Sequence, residues 1–175
     1  MCERRWYVGL LLVVAAACSR STPEPLAPAP TVASSVQQAV RAAYLDAWAV
    51  RDEAVHKGDP SILGRRFSGG DPSTVVGNLE TGLASAFDIV SASVTARVSA
   101  GLDVAGNVVH DIQSVNASDD ASAAQVVDRI TDRTYLVDRA TGVDKSSREE
   151  TVYTETWFLV RDEGEWKAIY FARSP

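Results

Sequence analysis

An α+β fold, with N-terminal helices packed on a curved antiparallel sheet, is what three features of this 175-residue sequence predict. Apolar residues recur at steps of three and four from Val36 to Ala54, then switch to strict alternation after Asp88. Two "GDPS" segments, at Gly58 and Gly70, punctuate the first half as helix exits and entries. Two alternating runs near the C-terminus are joined by the turn "RDEGE". Helices that come first and strands that follow separate into two layers, whereas a parallel sheet needs the two to alternate.

The N-terminus reads as an export and anchoring segment. Arg4 and Arg5 precede an uninterrupted apolar and small-residue run, Trp6 to Ala17. Its length of about 12 residues suits a signal-peptide core and falls short of the roughly 20 needed to span a bilayer. Ala15, Ala16 and Ala17 lead directly into Cys18. This stretch resembles a bacterial lipoprotein signal peptide, which implies a lipid on the Cys18 sulfur and cleavage before it. More than one acyl chain, at about 0.8 kcal/mol per buried methylene, would then hold the protein at a membrane of the cell envelope, outside the cytoplasm. Cys2 leaves with residues 1–17, so an intramolecular disulfide is excluded. Residues 18–33 carry Pro23, Pro25, Pro28 and Pro30 and form an extended tether. Residues 34–175 remain for the domain.

Within that domain, Ser35 and Gln38 form a capping box for one long helix. Val36, Val40, Ala43, Ala47, Val50 and Ala54 make its apolar stripe, widened by Tyr44 and Trp48, and Gly58 ends it. The first "GDPS" opens a short helix through Ile62, Leu63 and Phe67. The second is expected to open a longer one with Val75, Val76, Leu79, Leu83, Ala86 and Phe87 on one face. Ile89 to Ser99 alternates Val90, Ala92, Val94, Ala96 and Val98 with polar residues and is expected to be the first strand. "GLDVAGN" then reads as a turn, followed by strands over 108–115, 123–138, 150–161 and 165–173.

The tail "TVYTETWFLVRDEGEWKAIYF" resembles the closing hairpin of nuclear transport factor 2-like cone domains. The segment "YLDAWAVRDEAVHKGDPSILGRRFSG" resembles the start of related SnoaL-like domains, including those first named in chloroplast-division proteins. The resemblance implies a cone-shaped sheet around helices, a pocket at the open end and frequent dimerisation through the sheet. Function does not follow from that fold, whose members include isomerases, dehydratases and hydrolases as well as pure binding domains.

Composition narrows the chemistry. A net charge of -6 and a sequence pI near 4.9 argue against a nucleic-acid partner. The motifs G-x-S-x-G, S-x-x-K and Walker A do not occur, and the 138–149 loop lacks the ligands of a calcium loop, so no metal or cofactor is expected. If the domain is an enzyme, Asp128, Asp132 and His110 are its acid and base candidates. Tyr153, Trp157 and Arg129 are candidates for a pocket that takes a small apolar ligand. Phe158, Val160, Ile169 and Phe171, on the sheet face away from the helices, are candidates for covering by a second copy or an envelope partner. The reading is a membrane-tethered, non-catalytic binding or scaffolding module; the alternative is a small-molecule isomerase, dehydratase or hydrolase.

Overall fold

The structure is a computed structural model that describes residues 34–77, 79 and 82–174. Cys18 and both N-terminal segments lie outside these residues. No described helix is long and apolar enough to cross a membrane.

Helix α1 spans Ser35–Lys57. Its capping box sits one residue earlier than expected: the Gln37 amide donates to Ser34 Oγ at 3.2 Å, and the Ser34 amide to Gln37 Oε1 at 2.9 Å. "SSVQQ" holds two overlapping boxes, and the outer one starts the helix one residue earlier. The Gln37 amide group is also tied to the carbonyl of Val115 at 3.0 Å. Val40, Tyr44, Ala47, Trp48, Val50, Ala54 and Val55 are buried, and Gly58, at φ 67°, ends the helix. The Arg139 guanidinium then donates to the carbonyls of Val55 and His56, in the last turn of the helix, at 2.6 and 2.9 Å.

The first "GDPS" behaves as read: Asp59 caps a 3-10 turn over Pro60–Arg65 that buries Leu63. The second does not. Asp71 caps only Pro72–Thr74, and a regular helix resumes at α2, Ala86–Ser99. Gly77 and Gly82 raise the cost of helix in between, and Gly82 adopts φ 83°. Ser85 and Asp88 supply a fresh capping box that restarts the helix.

Helix α2 therefore corrects the expected first strand. Val90, Val94 and Val98, four apart, lie on one helical face and pack inward, while Ala92 and Ala96 are exposed. Valine on alternate positions with alanine satisfies both periods; exposed alanine favours helix, and the capping box decides the outcome. The switch from winding to zigzag comes after Ser99 and not at Asp88.

"GLDVAGN" is more than a turn, because β1, Leu102–Ala105, lies within it and pairs with β4, Tyr135–Asp138, in a two-stranded ribbon. The expected 123–138 strand is accordingly cut in two. β3 covers Ala123–Asp132, and Asp132 Oδ1 then accepts from the amide and hydroxyl of Thr134 at 2.8 and 2.6 Å, which turns the chain. Gly106 is obligatory beside this corner: at φ 94°, a Cβ there would stand 2.2 Å from the Arg133 carbonyl oxygen.

The main sheet has four antiparallel strands in the order β2-β3-β5-β6, with β2 at Val108–Ala117, β5 at Thr151–Asp162 and β6 at Glu165–Ser174. The hairpin between β5 and β6 turns on Glu163 and Gly164, both at positive φ. One irregularity in β2–β3 and one in β5–β6 bend the sheet around the helices. Tyr44, Trp48, Leu63, Val94, Ile130, Trp157 and Leu159 fill the single core between the layers. The segment after the first 3-10 turn pairs with β6 through Phe67 and Ala168 and covers part of that sheet edge.

Candidate functional site

Two polar clusters stand on the helix-facing side of the sheet. The first lies deep between α1 and the strands β2 and β3. Tyr44 Oη donates to Asp128 Oδ2 at 2.7 Å, and His110 Nδ1 meets the same oxygen at 2.6 Å. Asp128 is 0% exposed, and its Oδ1 has no hydrogen-bond partner among the described residues. The His110 ring packs edge-on against Trp48 and Tyr44, with centroids 4.8 and 5.8 Å away. Burial first, and the adjacent Asp128 second, push the Tyr44 hydroxyl far above its ordinary value, so it remains a donor.

The second cluster lines a cleft of about 290 Å³ between the C-terminal half of α1, α2 and the strands β5 and β6. Its floor is Trp157, stacked on Phe171 with centroids 4.7 Å apart. Val90 and Val94 of α2 and Val55 of α1 supply apolar walls. Glu155, 1% exposed, accepts from Trp157 Nε1 at 2.8 Å and from Nε and Nη2 of Arg173 at 3.0 and 2.8 Å. The Arg173 guanidinium lies 3.7 Å over the Tyr153 ring. The Tyr153 hydroxyl donates to Asp132 Oδ2 at 3.3 Å, and burial, with the nearby Glu155, pushes it up to about 12.

Arg51 and Arg97 complete the lining. The Arg51 guanidinium lies 3.6 Å over the Trp48 ring, and its Nε is 3.5 Å from Asp52 Oδ1. Burial pulls Arg51 below the usual guanidinium range; Asp52 and Glu155 oppose that shift, and Arg97 adds to it. Each of these residues follows from a local register. Arg51 is three positions after Trp48 on the buried stripe of α1, and Arg97 is three after Val94 on that of α2.

The residues singled out in the sequence fall into three places. His110 and Asp128 meet each other in the core cluster, outside the cleft lining, and Asp132 lines the cleft with both oxygens engaged. The three do not converge. Tyr153 and Trp157 line the cleft, whereas Arg129 is exposed between two inward-facing neighbours and stands on the outer face of the sheet. Phe158 and Val160 are half-buried on that outer face, with the Tyr170 ring 6.1 Å from Phe158. Ile169 and Phe171 do not join them. The irregularity that leaves Ile169 without a register partner reverses the phase of β6, so that Phe171 turns inward onto Trp157, and Ile169 is buried near Gly70.

Tyr44, Arg51, Arg97, Glu155 and Arg173 join the two clusters beyond the residues expected from the sequence. A signal existed for the two helical arginines, since each is a charge on an apolar stripe. Arg97 could be seen only by reading 86–99 as helix. Glu155 and Arg173 become partners through the β5–β6 register, where they sit directly opposite. Among the described residues, no group of three or more His, Cys, Asp or Glu could hold a metal ion.

Neither protein-family models nor curated proteins yield a match to this sequence. Solved structures do. The intermembrane space region of the chloroplast protein ARC6 superposes with a TM-score of 0.53 at 13% identity, over 82% of this chain and 98% of that one. An NTF-2 like protein of unknown function from Shewanella oneidensis MR-1 gives 0.45 at 13% identity, over 77% and 98%. A ketosteroid isomerase-like protein from Erwinia carotovora atroseptica gives 0.48 at 15% identity, over 82% and 100%. At such identities the likeness is one of fold alone, an α+β arrangement of helices packed on an antiparallel sheet.

Proposed function

We propose that the chain is a non-catalytic binding module, held at a cell-envelope membrane by lipid on Cys18, whose cleft takes a small molecule with an apolar body. The observation that carries this reading is the state of the carboxylates. Of the three carboxylates in the lining, Asp132 is committed to Thr134 and Tyr153 and Glu155 to Trp157 and Arg173, while Asp52 is 57% exposed and lies 3.5 Å from Arg51, so none is both sheltered and free to exchange a proton with a substrate. The cleft volume lies at the lower end of the range typical for small-molecule sites, about 300 to 1,000 Å³. The rival acid–base reading draws on the His110–Asp128 contact, but Asp128 is fully buried and neither residue lines the cleft.

The binding reading predicts that the full chain takes up 4-phenylbutan-1-ol saturably in calorimetry. Ser93→Trp, at an exposed position on the cleft rim, abolishes the binding heat without lowering the melting temperature. Equal heats in both proteins would sink it. For the tether, Cys18→Ser is expected to release the chain from the membrane fraction into the soluble one; a variant that still sediments with membranes contradicts the anchor. The outer face with Phe158, Val160 and Tyr170 is the surface assigned to a second copy or an envelope partner. A sedimentation coefficient unchanged by Phe158→Glu would remove the second copy.

A further inference from the structure

We infer that the ligand of the cleft is an anion with an apolar body, its carboxylate or equivalent group held between Arg51 and Arg97. The inference rests on the binding reading above and adds the chemical class. Several charges in the cleft are already engaged. Arg173 is spent on Glu155 and on the Tyr153 ring, and Asp132 on Thr134 and Tyr153. Arg97 makes no hydrogen bond or ion pair among the described residues. Arg51 makes no hydrogen bond either; its one ionic contact is the 3.5 Å approach to Asp52, whose side chain is 57% exposed.

Two guanidiniums from different helices thus meet one half-buried space, each on the apolar stripe of its helix, with their donors unused. They repel one another, and burial makes that repulsion harder to screen. Folding alone gives no reason for the arrangement, since an apolar residue at either position would continue the stripe. A planar anion removes the repulsion and can take paired N–H donors from a guanidinium fork. Trp157 and Phe171 then receive the apolar body. Glu155 stays neutralised by Arg173 and does not oppose the anion as a free charge would.

The test compares 4-phenylbutyrate with 4-phenylbutan-1-ol, which differ in the charged group, by calorimetry on the full chain. The carboxylate is expected to bind at least about tenfold tighter than the alcohol, with the advantage shrinking as salt rises. Arg97→Gln should remove most of that advantage, and Arg97→Lys, which keeps the charge without the fork, should fall between. If the alcohol binds and the carboxylate binds no better, or if Arg97→Gln and Arg51→Gln leave the ratio intact, the anion assignment is overturned while the binding reading survives. If neither ligand binds, both are overturned.

Discussion

Asp128 and the Arg51–Arg97 pair are both charged groups placed beside the same aromatic core, yet the molecule uses them in opposite ways. Asp128 is sealed, and the tyrosine and histidine that contact it come from α1 and β2, so the cluster ties the helix layer to the sheet. The arginines are half-buried, borrow an aromatic face or nothing at all, and leave their donors facing a cleft. A buried charge with partners is structural capital that cannot be withdrawn cheaply, whereas a lining charge without partners is free for a visitor. The contrast separates what holds this fold from what it can bind.

Breaking the first cluster should have the largest effect. Asp128→Ala strands the Tyr44 hydroxyl and the His110 ring and is expected to cost about 3 kcal/mol, read as a lower urea midpoint at unchanged slope. A change below about 0.5 kcal/mol would mean the cluster is not a structural tie. A smaller effect belongs to Tyr153, at the boundary between the two regions. Its hydroxyl ionises near pH 12 in the folded protein and near pH 10 when unfolded. The raised value favours the neutral form on folding, so this stabilisation is complete below about pH 10 and is lost as pH rises toward 12. Tyr153→Phe should therefore flatten the alkaline fall in stability between those limits, and an unaltered profile would contradict the assignment. The smallest effect is expected at Arg97, where Arg97→Gln should stay within about 0.5 kcal/mol of the parent or slightly above it, because repulsion with Arg51 is relieved. A large loss there would make the arginine structural and erase the contrast.

Much of the architecture was legible in the residues. The stripe from Val36 to Ala54, the Gly58 stop and the Gly164 hairpin needed only local periodicity and turn chemistry, and they stand as read. The segment from Pro72 to Ser99 misled because two local signals disagree. Its alternation of valine and alanine suits a strand by hydrophobicity, while alanine propensity and the Ser85–Asp88 box suit a helix, and the box prevails. The site was less legible for a related reason. Asp128, His110, Tyr153 and Trp157 stood out by type, but which of them share a space is fixed by long-range register and by the irregularity at Ile169, and a sequence shows neither. Phe171 belongs to the cleft floor only because that irregularity turns it inward.

The central claim is that the cleft, and not the buried cluster, meets the ligand, and the Trp157 indole reports on it directly, since its N–H is bonded to Glu155 within the cleft. Nuclear magnetic resonance of the full chain during titration with 4-phenylbutan-1-ol is the measurement. The account predicts a saturable shift of the Trp157 Nε1–H signal while the His110 ring signals stay in place. Ring signals of His110 that follow the ligand, with Trp157 unmoved, would contradict it.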